Sequence, residues 1–191
     1  SLTVQALDIR PSLSTVLRDF ERVRQQLEEQ GLIDPARRRA LPQRPGTIAL
    51  LTSVPSSALA DMLRTAAERW PMTQLLVIPI PVQGAVAETI VKVLNKLASQ
   101  TTALGLEAVV VARGGGSRED LAVFDHEGVC SALATFPIPV MTGLGHEDDL
   151  TVADLVADHR AATPTAAIVA LLPDRRSELQ TLENRRRRLK E

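Results

Sequence analysis

The chain has 191 residues, of which 45% are hydrophobic, and its formal net charge is −1 at pH 7. This length and apolar content suit one compact domain with additional elements at its ends. The charge excludes a domain that holds nucleic acid by bulk electrostatics, and an aromatic content of 2% excludes a base-stacking platform. With no apolar run of membrane-spanning length and no leader pattern, we expect a cytoplasmic protein without a membrane partner.

The first predicted region covers residues 1–46. It starts with the alternating segment "LTVQALDI" and continues with apolar residues at helical spacing up to Gly31, which predicts an amphipathic helix docked on another surface. The members of this apolar stripe are Leu13, Val16, Leu17, Phe20, Val23 and Leu27. The following "DPARRRALPQRPG" contains three prolines and predicts a linker. Its Arg37, Arg38 and Arg39 favour a solvated face over a phosphate-binding track.

From Thr47 onward, short apolar runs alternate with helix-length segments. The runs are "TIALLTS", "QLLVIPI", "AVVVA" and "PVMTG", and the segments between them are 55–70, 84–102 and 118–134. This alternation predicts an α/β fold with a doubly wound, mainly parallel, four-stranded sheet and flanking helices. In such sheets functional groups lie beyond the carboxyl ends of the strands, here at 52–53, 79–84, 113–117 and 142–149.

One predicted strand, "AVVVA", leads directly into Arg113 and the glycines Gly114, Gly115 and Gly116, followed by Ser117. Glycines allow the backbone to turn sharply and bring its N–H donors close to a bound anion, so a phosphate cradle and a simple tight turn are both open. The spacing matches neither a dinucleotide-binding fingerprint nor a P-loop. Arg113 favours the phosphate interpretation, because a guanidinium can donate two parallel hydrogen bonds to phosphate oxygens.

A second candidate stretch is "TGLGHEDDLTVADLVADHR", in which Gly143 and Gly145 precede His146 and free the backbone around it. Asp149 follows three residues later, and a carboxylate beside an imidazole supports general acid or base chemistry. The alternative is a helix start rich in carboxylates with His146 as a bystander. His126 and His159 lie in predicted helical segments and are interpreted as structural or surface residues. Cys130 is interpreted as a small buried residue rather than a metal ligand.

Taken in order, these motifs resemble the large subunit of exodeoxyribonuclease VII. The resemblance rests on "RGGGSREDLAVFD", "PIPVMTGLGHEDDLTVADLVAD" and "RAATPTAAI", and on "EEQGLIDPARRRALPQRPGTIALLTS" and "VIPIPVQG" before them. It implies a nuclease that degrades single-stranded DNA from either end to short oligonucleotides, together with a small subunit. It also implies three regions: the end of an OB-fold, a docking helix and a linker at 1–46, a catalytic α/β domain at 47–172, and the start of a coiled coil at 173–191. Leucines at coiled-coil spacing indicate that last region: Leu172, Leu179, Leu182 and Leu189.

The resemblance also implies the site. The family's catalytic pattern matches Arg113, His146, Asp149 and Asp61, the last in the helix after the first strand. Gly114, Gly115, Gly116 and Ser117 would bind phosphate. The sequence departs from the family in "TSVPSSA" before that helix and in carrying Asp125 and Asp148 in place of the family's usual residues.

The resemblance implies no required cofactor, because the family includes an activity that tolerates chelators. Magnesium held by Asp149 and Asp61 is the alternative, since carboxylate oxygens suit this ion. A nucleotide- or phosphate-binding α/β enzyme acting on a small molecule is the alternative function. A purely scaffolding domain would leave Arg113 and His146 at the strand ends unexplained.

Overall fold

A computed structural model describes residues 13–81, 86–145 and 149–189 of the chain. Within them lies a parallel sheet with the strand order β2-β1-β3-β4-β5. Its strands are β1 (Thr47–Thr52), β2 (Gln74–Pro79), β3 (Ala108–Ala112), β4 (Val140–Gly143) and β5 (His159–Arg160). The four predicted strands are confirmed. The fifth is a two-residue strand that was not predicted, because a pair of residues carries no periodic signal.

Seven helices and two short 3₁₀ segments are described. The helices are α1 (Leu13–Glu29), α2 (Ser57–Arg69), α3 (Ala87–Gln100), α4 (Glu127–Ala134), α5 (Val152–Val156), α6 (Pro164–Leu171) and α7 (Arg175–Arg188). The 3₁₀ segments are Pro35–Arg37 and Arg118–Asp125. The third predicted crossover helix is therefore in two parts. They are separated at His126, whose backbone is extended and whose Nδ1 accepts the Gly128 N–H at 3.2 Å. His126 is structural, as predicted, but as a helix cap.

Two apolar layers cover the sheet. Side chains from α1, α3, α4 and α5 pack on one face, and side chains from α2 and α6 pack on the other. Strand β3 is buried at every residue, because both faces of a parallel sheet are covered. The predicted docking helix is confirmed as α1, which buries Val16, Val23 and Leu27. Cys130 is buried in the first layer, as predicted.

The linker contacts the domain through its arginines. The Arg39 guanidinium pairs with Asp158 at 2.8 Å and donates to the Phe136 carbonyl at 2.8 Å. The Arg39 carbonyl lies 2.8 Å from Nε2 of His159. His159 is structural as predicted, but it lies in strand β5 and not in a helix, so its predicted helical placement is wrong. The prediction of a solvated face is therefore wrong for Arg39. Sequence periodicity gave no signal for a partner more than a hundred residues away.

The four C-terminal leucines do not form the single stripe that their spacing predicts. Leu172 is 2% exposed and belongs to the α2–α6 layer, so it does not open a coiled coil. Leu179, Leu182 and Leu189 are exposed, and no residue of α7 is buried. Among the described residues, no helix has both the length and the apolar character needed to cross a membrane. The segment "LTVQALDI" lies outside the described residues.

Candidate active site

An open cleft of about 320 Å³ lies at the carboxyl end of the sheet. It sits where the strand order reverses, because β1 and β3 are neighbours while β2 lies on the far side of β1. Doubly wound sheets bind ligands at this point. The cleft is lined by Ser57, Ala58 and Asp61 of α2, by Arg113, Gly114 and Gly115 after β3, by Gly145, and by the segment 162–165 at the start of α6.

Arg113 follows β3 and extends its pairing with β4, because the Arg113 N–H donates to the Gly143 carbonyl at 3.1 Å. Its side chain is only 5% exposed, and Nη2 lies 3.4 Å from Oδ2 of Asp120. Nη1 is buried and has no hydrogen-bond partner among the described residues. A buried cationic donor without a partner is costly, and an anion that reached it would remove the cost.

The glycine run serves close packing. Of the described glycines, only Gly31 and Gly105 have positive φ, so Gly114 to Gly116 do not adopt the left-handed conformation that a side chain disfavours. A Cβ on Gly116 would lie 2.6 Å from Nη2 of Arg113. Gly116 is therefore needed because the guanidinium packs directly against its backbone.

Gly143 and Gly145, which precede His146, also lie where neighbouring atoms come close to the backbone. A Cβ on Gly143 would lie 2.9 Å from the Thr163 carbonyl oxygen, so this glycine lets the start of α6 rest on the end of β4. A Cβ on Gly145 would lie 3.2 Å from Cβ of Asp149. The backbone of His146 lies outside the described residues, so the prediction that these glycines free it stays a prediction. Neither glycine has positive φ, and both are close contact points.

Asp61 lies in α2, as predicted, and lines the cleft. Its carboxylate accepts a hydrogen bond from Arg64 at 2.7 Å. The unusual segment before α2 does not prevent this placement, because Ser56 caps the helix by accepting the Leu59 N–H at 3.1 Å. Asp61 and Arg113 thus reach one cleft from elements after β1 and β3.

His146 and Asp148 lie outside the described residues. Asp149 is half-buried beside Gly145, one of the cleft-lining residues, but Asp149 itself does not line the cleft. The structure thus places Arg113, Gly114, Gly115 and Asp61 together. Gly116 and Ser117 are exposed residues of the same loop.

Two buried carboxylates were missed by the sequence analysis. Asp154 accepts hydrogen bonds from the Thr142 hydroxyl at 2.6 Å and from the backbone and hydroxyl of Thr151 at 3.0 and 2.9 Å. These hydrogen bonds connect the end of β4 to the start of α5, which come before and after the His146 segment in the sequence. The Thr-x-x-Asp spacing of a capping box was the available signal.

The other is Asp125, which accepts the Val152 N–H at 2.8 Å and pairs with Arg118 at 2.5 Å. Burial raises the pKa of Asp125, and the charge of Arg118 opposes that rise. Arg118 also lies over the Phe20 ring, 5.5 Å from its centroid, and so links this network to α1. Asp125 differs from the family's usual residue at this position, and its buried charge is balanced by Arg118.

Fold and cleft together define a doubly wound α/β domain with an arginine-glycine loop at its switch point. The family profile "Exonuclease VII, large subunit" matches residues 32–191. The chain belongs to this family.

Individual relatives agree with the profile. The chain is 75% identical over 191 residues to an exodeoxyribonuclease 7 large subunit from Synechococcus sp. (strain CC9605), covering 100% of this chain and 49% of the relative. Those from Desulforudis audaxviator and Nitrosomonas eutropha are 43% identical over 163 residues and 38% identical over 190 residues. These matches cover 85% and 100% of this chain, and 40% and 42% of the relatives. The chain spans about half the length of the curated relatives it matches most strongly.

Proposed function

We propose that this chain is the catalytic part of a nuclease that hydrolyses single-stranded DNA from either end to short oligonucleotides. The whole enzyme would act in the cytoplasm with a small subunit, bound through a coiled coil that continues from α7. The observation that carries the proposal is the cleft in which Arg113, the glycine loop and Asp61 meet. Family membership supports the choice of reaction, since the relatives are named as exodeoxyribonuclease subunits.

The described groups suit phosphodiester hydrolysis. Negative charge builds up on the non-bridging oxygens in the transition state, and Arg113 with the backbone N–H groups of 114–116 would stabilise it. The Ser117 N–H is already donated to Asp120. The unpartnered Nη1 of Arg113 supports this role, because a phosphate oxygen would supply the missing acceptor.

Proton transfer would fall to His146, since an imidazole titrates near neutral pH. Asp149 would orient that imidazole. Asp61, which lines the cleft, would complete the proton relay.

We propose that no metal is required. Asp61, one of the two carboxylates that would hold an ion, already pairs with Arg64 at 2.7 Å. Asp61 could still hold magnesium together with a substrate phosphate, because this ion commonly uses one or two carboxylates and keeps several waters. Adding excess EDTA to the two-subunit enzyme should leave oligonucleotide release unchanged, and a loss restored by Mg²⁺ alone would contradict the metal-free proposal.

The site is tested with His146→Ala in the full-length complex. We expect the rate of oligonucleotide release to fall by roughly 100- to 10,000-fold, the usual range for a general acid or base. His159→Ala is the matched control, because His159 contacts the linker carbonyl of Arg39 rather than the cleft. Near wild-type rates for a folded His146→Ala complex would contradict the assignment.

A small-molecule enzyme is the second candidate. It would need an enclosed pocket, whereas the cleft is open to solvent and suits a chain-like substrate. The intact complex should therefore turn over single-stranded DNA and leave free nucleotides unchanged.

A further inference from the structure

Asp120 has no role in the site assigned above, although its carboxylate contacts the Arg113 guanidinium. The two side chains are 5% and 16% exposed, and Oδ2 of Asp120 lies 3.4 Å from Nη2 of Arg113. The same oxygen accepts the Ser117 N–H at 3.1 Å. One carboxylate thus contacts both the side chain that opens the loop and the backbone that closes it.

The loop leaves the guanidinium little freedom. Gly116 packs against it, so that even a single added carbon would lie 2.6 Å from Nη2. Asp120, in the first turn of the 3₁₀ segment, contacts the same nitrogen. Nη1 is left without a described partner.

We infer that Asp120 is a positioning residue, which fixes the Arg113 guanidinium and the 113–117 loop so that Nη1 stays available to a phosphate oxygen. This inference rests on the proposed function. A carboxylate in this place acts in two ways: its charge holds one edge of the guanidinium, and its oxygen anchors the loop through Ser117. Loss of the charge lets the guanidinium turn, and a displacement of about 1 Å in a positioned group can cost on the order of 100-fold in rate.

The variant Asp120→Asn separates these two actions. Asparagine keeps an acceptor oxygen for the Ser117 N–H but removes the negative charge that faces Arg113. In the full-length complex, we expect Asp120→Asn to lower kcat on single-stranded DNA by about 10- to 100-fold, with an unchanged thermal unfolding midpoint. The matched control is Glu119→Gln, the adjacent carboxylate in the same turn, which should stay within about twofold of wild type.

A double-mutant cycle shows whether Asp120 acts through Arg113. In an Arg113→Ala enzyme, adding Asp120→Asn should lower kcat by less than a further factor of about two. If Arg113→Ala leaves no measurable rate, the same comparison is made in an Arg113→Lys enzyme. A full additional loss in that background, or wild-type kcat for Asp120→Asn alone, would overturn the positioning role. If Arg113→Ala itself keeps wild-type activity, the proposed function fails first, and this outcome is separate from the other two.

Discussion

Two arginine–aspartate pairs lie at opposite ends of the sheet, and their hydrogen bonds are satisfied to different degrees. At the amino end, Arg39 donates to both carboxylate oxygens of Asp158 and to the Phe136 carbonyl, and Asp158 also accepts the Val140 N–H. At the carboxyl end, Arg113 has one contact with Asp120 at 3.4 Å and a buried Nη1 without a described partner.

We propose that this difference reflects different roles. Arg39 holds the fold together and is surrounded by partners, because each missing hydrogen bond costs free energy. Arg113 keeps a buried donor for a substrate phosphate. Arg118 also has a buried Nη1 without a described partner, so it is the place of Arg113 at the cleft that distinguishes it as the proposed substrate-binding arginine.

The largest expected effect is a difference in the rate of DNA degradation between Arg113 and Arg39 variants. Arg113→Ala in the full-length complex should lower the rate of single-stranded DNA degradation by roughly 100- to 1000-fold, because a transition-state donor is lost. Arg113→Lys should recover little, since an ammonium cannot form the bidentate contact. Both rates are compared with that of Arg39→Ala, which should match wild type per folded molecule. Equal losses for Arg113→Ala and Arg39→Ala would remove the distinction between the pairs.

The second test measures stability at the amino end. Arg39→Ala should lower the free energy of unfolding of the large subunit by about 1 to 3 kcal/mol, because the buried Asp158 carboxylate loses its cation while the 37% exposure of the Arg39 side chain screens part of the pair. Denaturant unfolding measures this value, with Arg38→Ala as the matched control from the same basic cluster. A change of less than about 1 kcal/mol would show that the pair is as weak as an exposed salt bridge.

A third test uses two glycines near the cleft. Gly116→Ala should lower activity by about 10- to 100-fold, because the added carbon must displace the Arg113 guanidinium, while stability changes little. Gly143→Ala should instead lower the thermal unfolding midpoint, because its added carbon meets the backbone of Thr163 and Pro164. A fully active Gly116→Ala enzyme would show that the position of Arg113 in this loop does not matter for the reaction.

The smallest expected effect is a pH dependence at the amino end. Burial acts to raise the pKa of Asp158, but hydrogen bonds from the Arg39 side chain and from the Val140 and Arg39 backbones, together with the Arg39 charge, outweigh it and lower the pKa below its ordinary 3.8. A lowered folded-state pKa stabilises the protein above the ordinary value, and this contribution is lost as pH falls through the folded-state pKa.

The difference in unfolding free energy between wild type and Asp158→Asn should therefore be largest near neutral pH and shrink below about pH 3.8. Urea unfolding at several pH values measures it. A difference that stays constant down to about pH 2 would mean that the Asp158 charge contributes nothing to the stability of the fold.

Several features of the candidate site were predicted from sequence because they are local. Arg113 and its glycines follow an unbroken apolar strand, which places them at the carboxyl edge of the sheet. Asp61 was implied only by the family resemblance, and its position in the helix after β1 brings it to the same cleft. The roles of His146 and Asp149 remain predictions, since His146 lies outside the described residues. The reason for the glycines was not predictable, because it depends on a guanidinium and a helix start that pack against them.

The sequence by itself determined the alternation of strands and helices, the docking helix, and the arginine-glycine motif at a strand end. These follow from periodicity and from turn chemistry, which act over a few residues. Only the tertiary structure decided that Arg39 pairs with Asp158, that Leu172 belongs to the core, and that Asp120 contacts Arg113. Such contacts form between side chains that the packing of helices and strands brings together, and the spacing of residues along the sequence does not predict these pairs.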